Sequence, residues 1–199
     1  MTERIDAILV SIQALEQELE EEFAKAGAGL RFGLEHGRAR FEAEVLRRHH
    51  ELKTGLARYL SRANPLVVLT APVIYSLIVP FVVLDLWVSA YQAICFRVYG
   101  IPRVRRGRYI VFDRSALTYL NLIERFNCAY CSYGNGVIAY AREIAGRTEQ
   151  FWCPIKHARR VLGAHPHYAD FADFGEGEGY ADHLKRSRAK VRGEPGAAS

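Results

Sequence analysis

PLVVLTAPVIYSLIVPFVVLDLWVSAYQAICF, residues 65–96, decides how this chain is organised. Within it only Asp85 carries a side chain charged at neutral pH. Apolar runs of about 18 residues or more are read as membrane-spanning. This one is long for a single pass and short for two, which need about 40 residues. Pro72 and Pro80 interrupt it, each removing a backbone donor. Arg58 and Arg62 precede it, and Arg97, Arg103, Arg105, Arg106 and Arg108 follow it, so charge favours both ends in the cytosol. A re-entrant hairpin bent near Pro80 and Asp85 meets all three constraints and is the preferred layout. The competing layout is one span, Leu66 to Leu84, with Asp85, Trp87 and Tyr91 at the interface. A core helix of a soluble protein is the third. An acid in such a stretch is a functional candidate by default.

Outward from this segment the chain becomes charged, so mean hydropathy over all 199 residues is only -0.08. A formal charge of +5 and a pI near 9.1 fit contact with something acidic. The arginines form no groove-reading motif and many flank the apolar run. Arg103, Arg105, Arg106 and Arg108 therefore read as a collar for lipid headgroups, and nucleic acid is disfavoured. The first residues lack the layout of a cleaved signal peptide.

Ile5, Ile8, Ile12, Leu15 and Leu19 alternate at three and four among glutamates, the pattern of an amphipathic or coiled-coil helix over residues 3–23. It packs on its own chain or on a partner, including a second copy. Gly27, Gly29, Gly33 and Gly37 predict a flexible joint, followed by a charged helix from about Leu34 to Leu60. Beyond the apolar run, Arg108–Phe112 reads as a short strand or an extended connection. Asp113 or Ser115 would then cap a helix carrying Leu117, Leu120, Ile123 and Phe126. Gly134-Asn135-Gly136 signals a turn and Gly146 a helix stop.

Cys128-Ala-Tyr-Cys131 and Cys153-Pro-Ile-Lys-His157 supply two close pairs of soft donors, the usual makings of a tetrahedral zinc site. With Pro154 at the first position of a helix ending near Gly163, Cys153 would cap it and His157 would face the same way. One ion can be shared only if the chain reverses between the pairs, and Gly146 is the expected reversal. Zinc is the expected ion, because the shell is closed; an iron–sulfur cluster is the alternative, and buried free thiols or a redox dithiol the remaining readings. Glu124, Glu143 and Glu149 could serve as acid, base or outer support for the metal. His165-Pro166-His167 with Asp170 and Asp173 reads as a polar loop ahead of a second metal or catalytic site, and His49-His50 as surface.

The expected protein is thus mainly α. Residues 1–62 form an amphipathic or coiled-coil arm, 63–99 a membrane-embedded helix or hairpin, 100–189 a small helical Cys3His domain, and 190–199 a disordered tail. Its expected role is that of an accessory or scaffold protein with a structural zinc site, associating with protein partners at the cytosolic membrane surface. A membrane-bound iron–sulfur or metal-dependent redox enzyme is the alternative.

Overall fold

The computed structural model describes residues 2–29, 32–35, 38–41, 47–49, 53, 55, 61 and 64–194. It is mainly helical and divides into two compact units, Met1–Arg62 with Asp113–Cys128, and Ala63–Phe112 with Ala129–Ser199. The apolar segment and the C-terminal residues, separate in the sequence reading, therefore belong to one unit.

In the first unit, helix α1 runs Thr2–Gly29, longer than its apolar seam required. Ile8, Ile12, Leu15 and Leu19 are all exposed. Strands β1 (Phe32–Glu35) and β2 (Arg38–Phe41) pair antiparallel, with Phe32 opposite Phe41 and Glu35 opposite Arg38. The helix expected from Leu34 is corrected there, because two intervening residues are a spacing that favours a hairpin. Most of that expected helix, with His50, Arg58 and Arg62, lies outside the described residues. His49 Nδ1 is 3.3 Å from Thr118 Oγ1, and its ring meets Tyr119 edge-on.

The second unit is built on helix α2, Pro65–Tyr99. Asn64 caps it, its side chain accepting from the Leu66 amide at 2.9 Å, and Pro65 fills the first position, where no donor is needed. The chain does not turn back at Pro80 or Asp85, so the re-entrant hairpin is corrected to one helix. The only irregularity at the prolines is at Leu77. Pro80 cannot donate to the Ser76 carbonyl, and the helix tightens there before resuming at Ile78. A second irregularity, a π-turn over Gln92–Phe96, is held by Gln92, whose Oε1 accepts from the Val104 amide at 2.9 Å. Gly100 then adopts a left-handed conformation (φ 74°) and the Ile101 amide returns to the Phe96 carbonyl, closing the helix.

Residues 101–112 run back along α2 as a connection with a 3-10 turn at Arg106–Arg108 rather than a strand, burying Ile101, Val104 and Ile110. A second 3-10 turn at Asp113–Ala116 precedes helix α3, Leu122–Trp152. Its cap is Asn121, not Asp113 or Ser115. Asn121 Oδ1 accepts from the Glu124 amide, and Glu124 Oε2 accepts from the Asn121 amide in return.

From Tyr130 onward α3 lies parallel to α2, with Tyr130 against Ile74, Tyr133 against Asp85, Tyr140 against Ser89, Thr148 against Tyr91 and Phe151 against Tyr99. The turn expected at Gly134–Gly136 is corrected: both are helical, and they are glycine because the neighbours come close. A Cβ on Gly134 would lie 2.8 Å from the Phe81 ring, and one on Gly136 2.7 Å from the Tyr109 carbonyl oxygen. Below them Phe96, Ile101, Val104, Tyr140, Ile144, Phe151 and Val191 form the core.

Gly146 does not stop α3, which continues to Trp152, where Pro154 prevents further propagation. The helix expected from Pro154 is corrected too. Residues 153–176 form a strap, pinned by a parallel bridge of Ile155 with Ala172 and by a 3-10 turn at Pro166–Asp170. Helix α4, Tyr180–Arg192, closes the unit, so Lys190–Arg192, expected in a tail, complete a helix. Residues 195–199 lie outside the described residues.

Gly136→Ala tests the close approach. In an open helix this change gains about 1 kcal/mol. Here the added methyl meets backbone, and chemical denaturation of the purified chain should show a loss of about 1–3 kcal/mol. A stabilised variant would mean the connection does not touch α3.

Candidate functional site

Asp85 is the polar centre of the second unit. Its carboxylate would be costly on an otherwise apolar helix, and it is buried against the connection. Arg106 grips it with two nitrogens, Nη2 at 2.6 Å from Oδ2 and Nε at 3.0 Å from Oδ1. Tyr133 Oη donates to Oδ2 at 3.0 Å from α3. The carboxylate's side chain is 9% exposed and the guanidinium's 47%, so the pair is desolvated on one side only. One turn along, Gln92, Ser89 and Tyr140 make a second polar knot, with Gln92 Nε2 donating to Tyr140 Oη and Ser89 Oγ at 3.3 Å from that oxygen.

Arg106 therefore leaves the expected collar and serves as Asp85's partner. Arg103 is partly engaged, its Nη2 donating to the Ala93 carbonyl at 3.1 Å. Arg105 and Arg108 are exposed and meet no carboxylate among the described residues.

A second group of titratable residues lies where the strap crosses α3. Glu143 Oε1 accepts from Arg147 Nε at 2.7 Å and lies 3.2 Å from His167 Nε2; Glu149 Oε2 lies 2.9 Å from His165 Nε2. The His165 ring occupies the space that a Cβ on Gly146 would fill, at 2.8 Å from its Cγ. Gly146 thus serves close packing, not reversal. The hydrogen bond from His167, helped by Arg147, holds the Glu143 carboxyl at about 2 against the opposing effect of burial. Asp170 and Asp173 turn to Lys190 and Lys156 instead. These pairs fasten the strap.

The expected four-donor metal site is corrected by the continuity of α3. Cys131 lies within that helix and Cys153 directly after it, 22 positions on, a separation of about 33 Å along the axis. Cys153 follows a helix C-terminus and is exposed, rather than capping an N-terminus. His157 stacks on Tyr168, whose hydroxyl also accepts from the His157 amide. Cys128 belongs to the first turns of the same α3, and all four cysteines are free thiols. Cys128, Cys131, Cys153 and His157 therefore do not converge on one point. Among the described residues no group of three or more His, Cys, Asp or Glu side chains is placed to hold a metal.

Compared with protein-family models, curated proteins and solved structures, the chain finds no match. The geometry alone carries the functional reading.

Sequence reasoning singled out Asp85 and missed its partners. A signal existed: a carboxylate in an apolar run needs a cation, and the next basic cluster begins at Arg103. It also named Glu143, Glu149, His165 and His167 without pairing them.

Two predictions follow from these contacts. Asp85→Ala and Arg106→Ala should each cost about 1–3 kcal/mol, with the double variant costing less than their sum. Strictly additive losses in denaturation would mean the two side chains act independently. For Glu143 the folded value lies below the ordinary 4.5, so its stabilisation is complete above about pH 4.5 and is lost as pH falls toward 2. Glu143→Gln should flatten the fall in melting temperature across that window, and an unaltered slope would contradict the pairing.

Proposed function

We propose that this chain is a membrane-embedded accessory protein. Its α2 helix sits in the hydrocarbon, its C-terminal body lies at the cytosolic surface, and α1 serves as an arm for a protein partner or a second copy. The observation that carries the reading is the surface of α2. It is long and apolar enough to cross a membrane, and its most apolar stretch is not buried in this chain. Leu69, Val73, Val79 and Val83 all stand exposed, a cost in water of about 25 cal/mol for each Å² that lipid would remove.

The dimensions support the first half of α2 as the embedded part. Pro65–Leu84 rises about 30 Å, the thickness of the hydrocarbon core. No residue before Asp85 is buried in α2. Beside it, from Ala129 to Ala141, α3 carries no charged side chain. The charge pattern changes at Asp85, where Arg106 arrives, and Trp87 follows on the exposed face, a residue type enriched at membrane interfaces. The exposed seam of α1 supports the partner-binding arm, and a two-stranded coiled coil is its simplest use. Because the cysteines and His157 are dispersed, the association is proposed without a zinc closure.

Alkaline washing of membranes tests the embedding. The full chain should stay in the pellet, whereas Val73→Arg, near the middle of the embedded stretch, costs about 2.5–3.5 kcal/mol of insertion and should move much of the protein to the supernatant. Wild-type protein released by the wash as a soluble species would defeat the proposal.

A further inference from the structure

We propose that Arg105 and Arg108 form a headgroup site selective for anionic phospholipid, an inference that rests on the embedding proposed above. Arg105 precedes and Arg108 ends the 3-10 turn, in which the Arg108 amide bonds the Arg105 carbonyl at 3.0 Å. That turn is fixed from both sides: Val104 is tied to Gln92 of α2, and Arg106 is tied to Asp85. The two arginines are therefore carried on a short, anchored stretch of backbone instead of a free tail.

Their level along α2 follows from their neighbours. Arg103 reaches Ala93 and Arg106 reaches Asp85, so the turn lies beside residues 85–93, directly past the twenty-residue apolar stretch. Trp87, 76% exposed, belongs to the same level. Lipid phosphates occupy this zone when Pro65–Leu84 fills the hydrocarbon.

Among the described residues the charge of Arg105 and Arg108 is not paired. Elsewhere in this unit Arg147, Lys156 and Lys190 are paired with Glu143, Asp173 and Asp170. Asp85, the carboxylate bonded to the turn, is consumed by Arg106 and Tyr133. Arg105 and Arg108 consequently present two planar guanidinium forks, with no carboxylate paired to them among the described residues, at phosphate height. Such forks bind phosphate oxygens bidentately, and a lipid with net negative charge gains over a zwitterionic one, whose choline places a cation against them.

Trp87 provides the reporter, since Trp152 is the only other tryptophan in the chain. In full-length Trp152→Phe protein reconstituted into mixed vesicles, shallow-brominated phosphatidylglycerol should quench Trp87 more strongly than equally brominated phosphatidylcholine at the same mole fraction. The excess is bounded by roughly fivefold for each basic side chain near an anionic surface. Arg105→Gln with Arg108→Gln should bring the two lipids to parity while quenching by both persists, and 0.5 M salt should reduce the wild-type preference. Equal quenching in wild type, or a preference that survives the double substitution, overturns the headgroup site and leaves the embedding intact. Absence of quenching by either lipid overturns both.

Discussion

The charge pair between Asp85 and Arg106 organises the second unit. A carboxylate on an apolar helix is tolerable only when something neutralises it and fills its lone pairs. Arg106 and Tyr133 do so from two other pieces of chain. Satisfying one side chain therefore sets the path of residues 101–112 and the depth of α3 against α2. Val104 and Ile110 are carried into the core by the same path, and Gly136 meets the connection as backbone on backbone. The pair is half-open to solvent, so its contribution to stability is modest; its geometric effect is to tie residues 101–112 and α3 to one level of α2.

Legibility in the sequence followed the range of the interactions. The apolar helix and α1 were readable because composition and three-four periodicity are local. The single-span layout, ranked second on charge, describes the observed continuous helix better than the hairpin. Two prolines lowered the expectation of continuity, yet Pro72 and Pro80 leave only a tightened turn at Leu77, since the lost bonds cost less than reversing the chain. Gly134, Gly136 and Gly146 misled for the opposite reason. Glycine within a helix signals either a stop or a close neighbour, and only tertiary structure separates the two. Phe81, Tyr109 and His165 are the neighbours.

The cysteine reading failed on the same point. Spacing within each pair suited a metal, but convergence depended on a reversal assigned to Gly146. With His165 occupying the space over that glycine, α3 has no reason to break, and the donors are spread along it. The pairings that do form on that face, Glu143 with His167 and Glu149 with His165, join residues 24 and 16 apart in sequence. No periodicity marks them, because one partner of each pair lies on the irregular strap.

Parallel packing of α2 and α3 creates a further requirement that explains the C-terminal helix. Helices side by side in the same direction bring their C-terminal carbonyls and partial negative charges to one end. Here Tyr99 and Phe151 end up stacked, 5.0 Å between centroids. Helix α4 supplies the compensation: Arg192 Nε donates to the Tyr99 carbonyl, Arg188 Nε to the Phe151 carbonyl and Ser187 Oγ to the Gln150 carbonyl, each at 2.9 Å. Both guanidinium groups also lie over the Phe151 ring, at 4.9 and 5.3 Å from its centroid. Each cation at a helix C-terminus contributes about 0.3–1 kcal/mol, and the stacking adds to it. An antiparallel pair would have needed no such cap at one end. Arg188 and Arg192 thus answer the shared direction of α2 and α3.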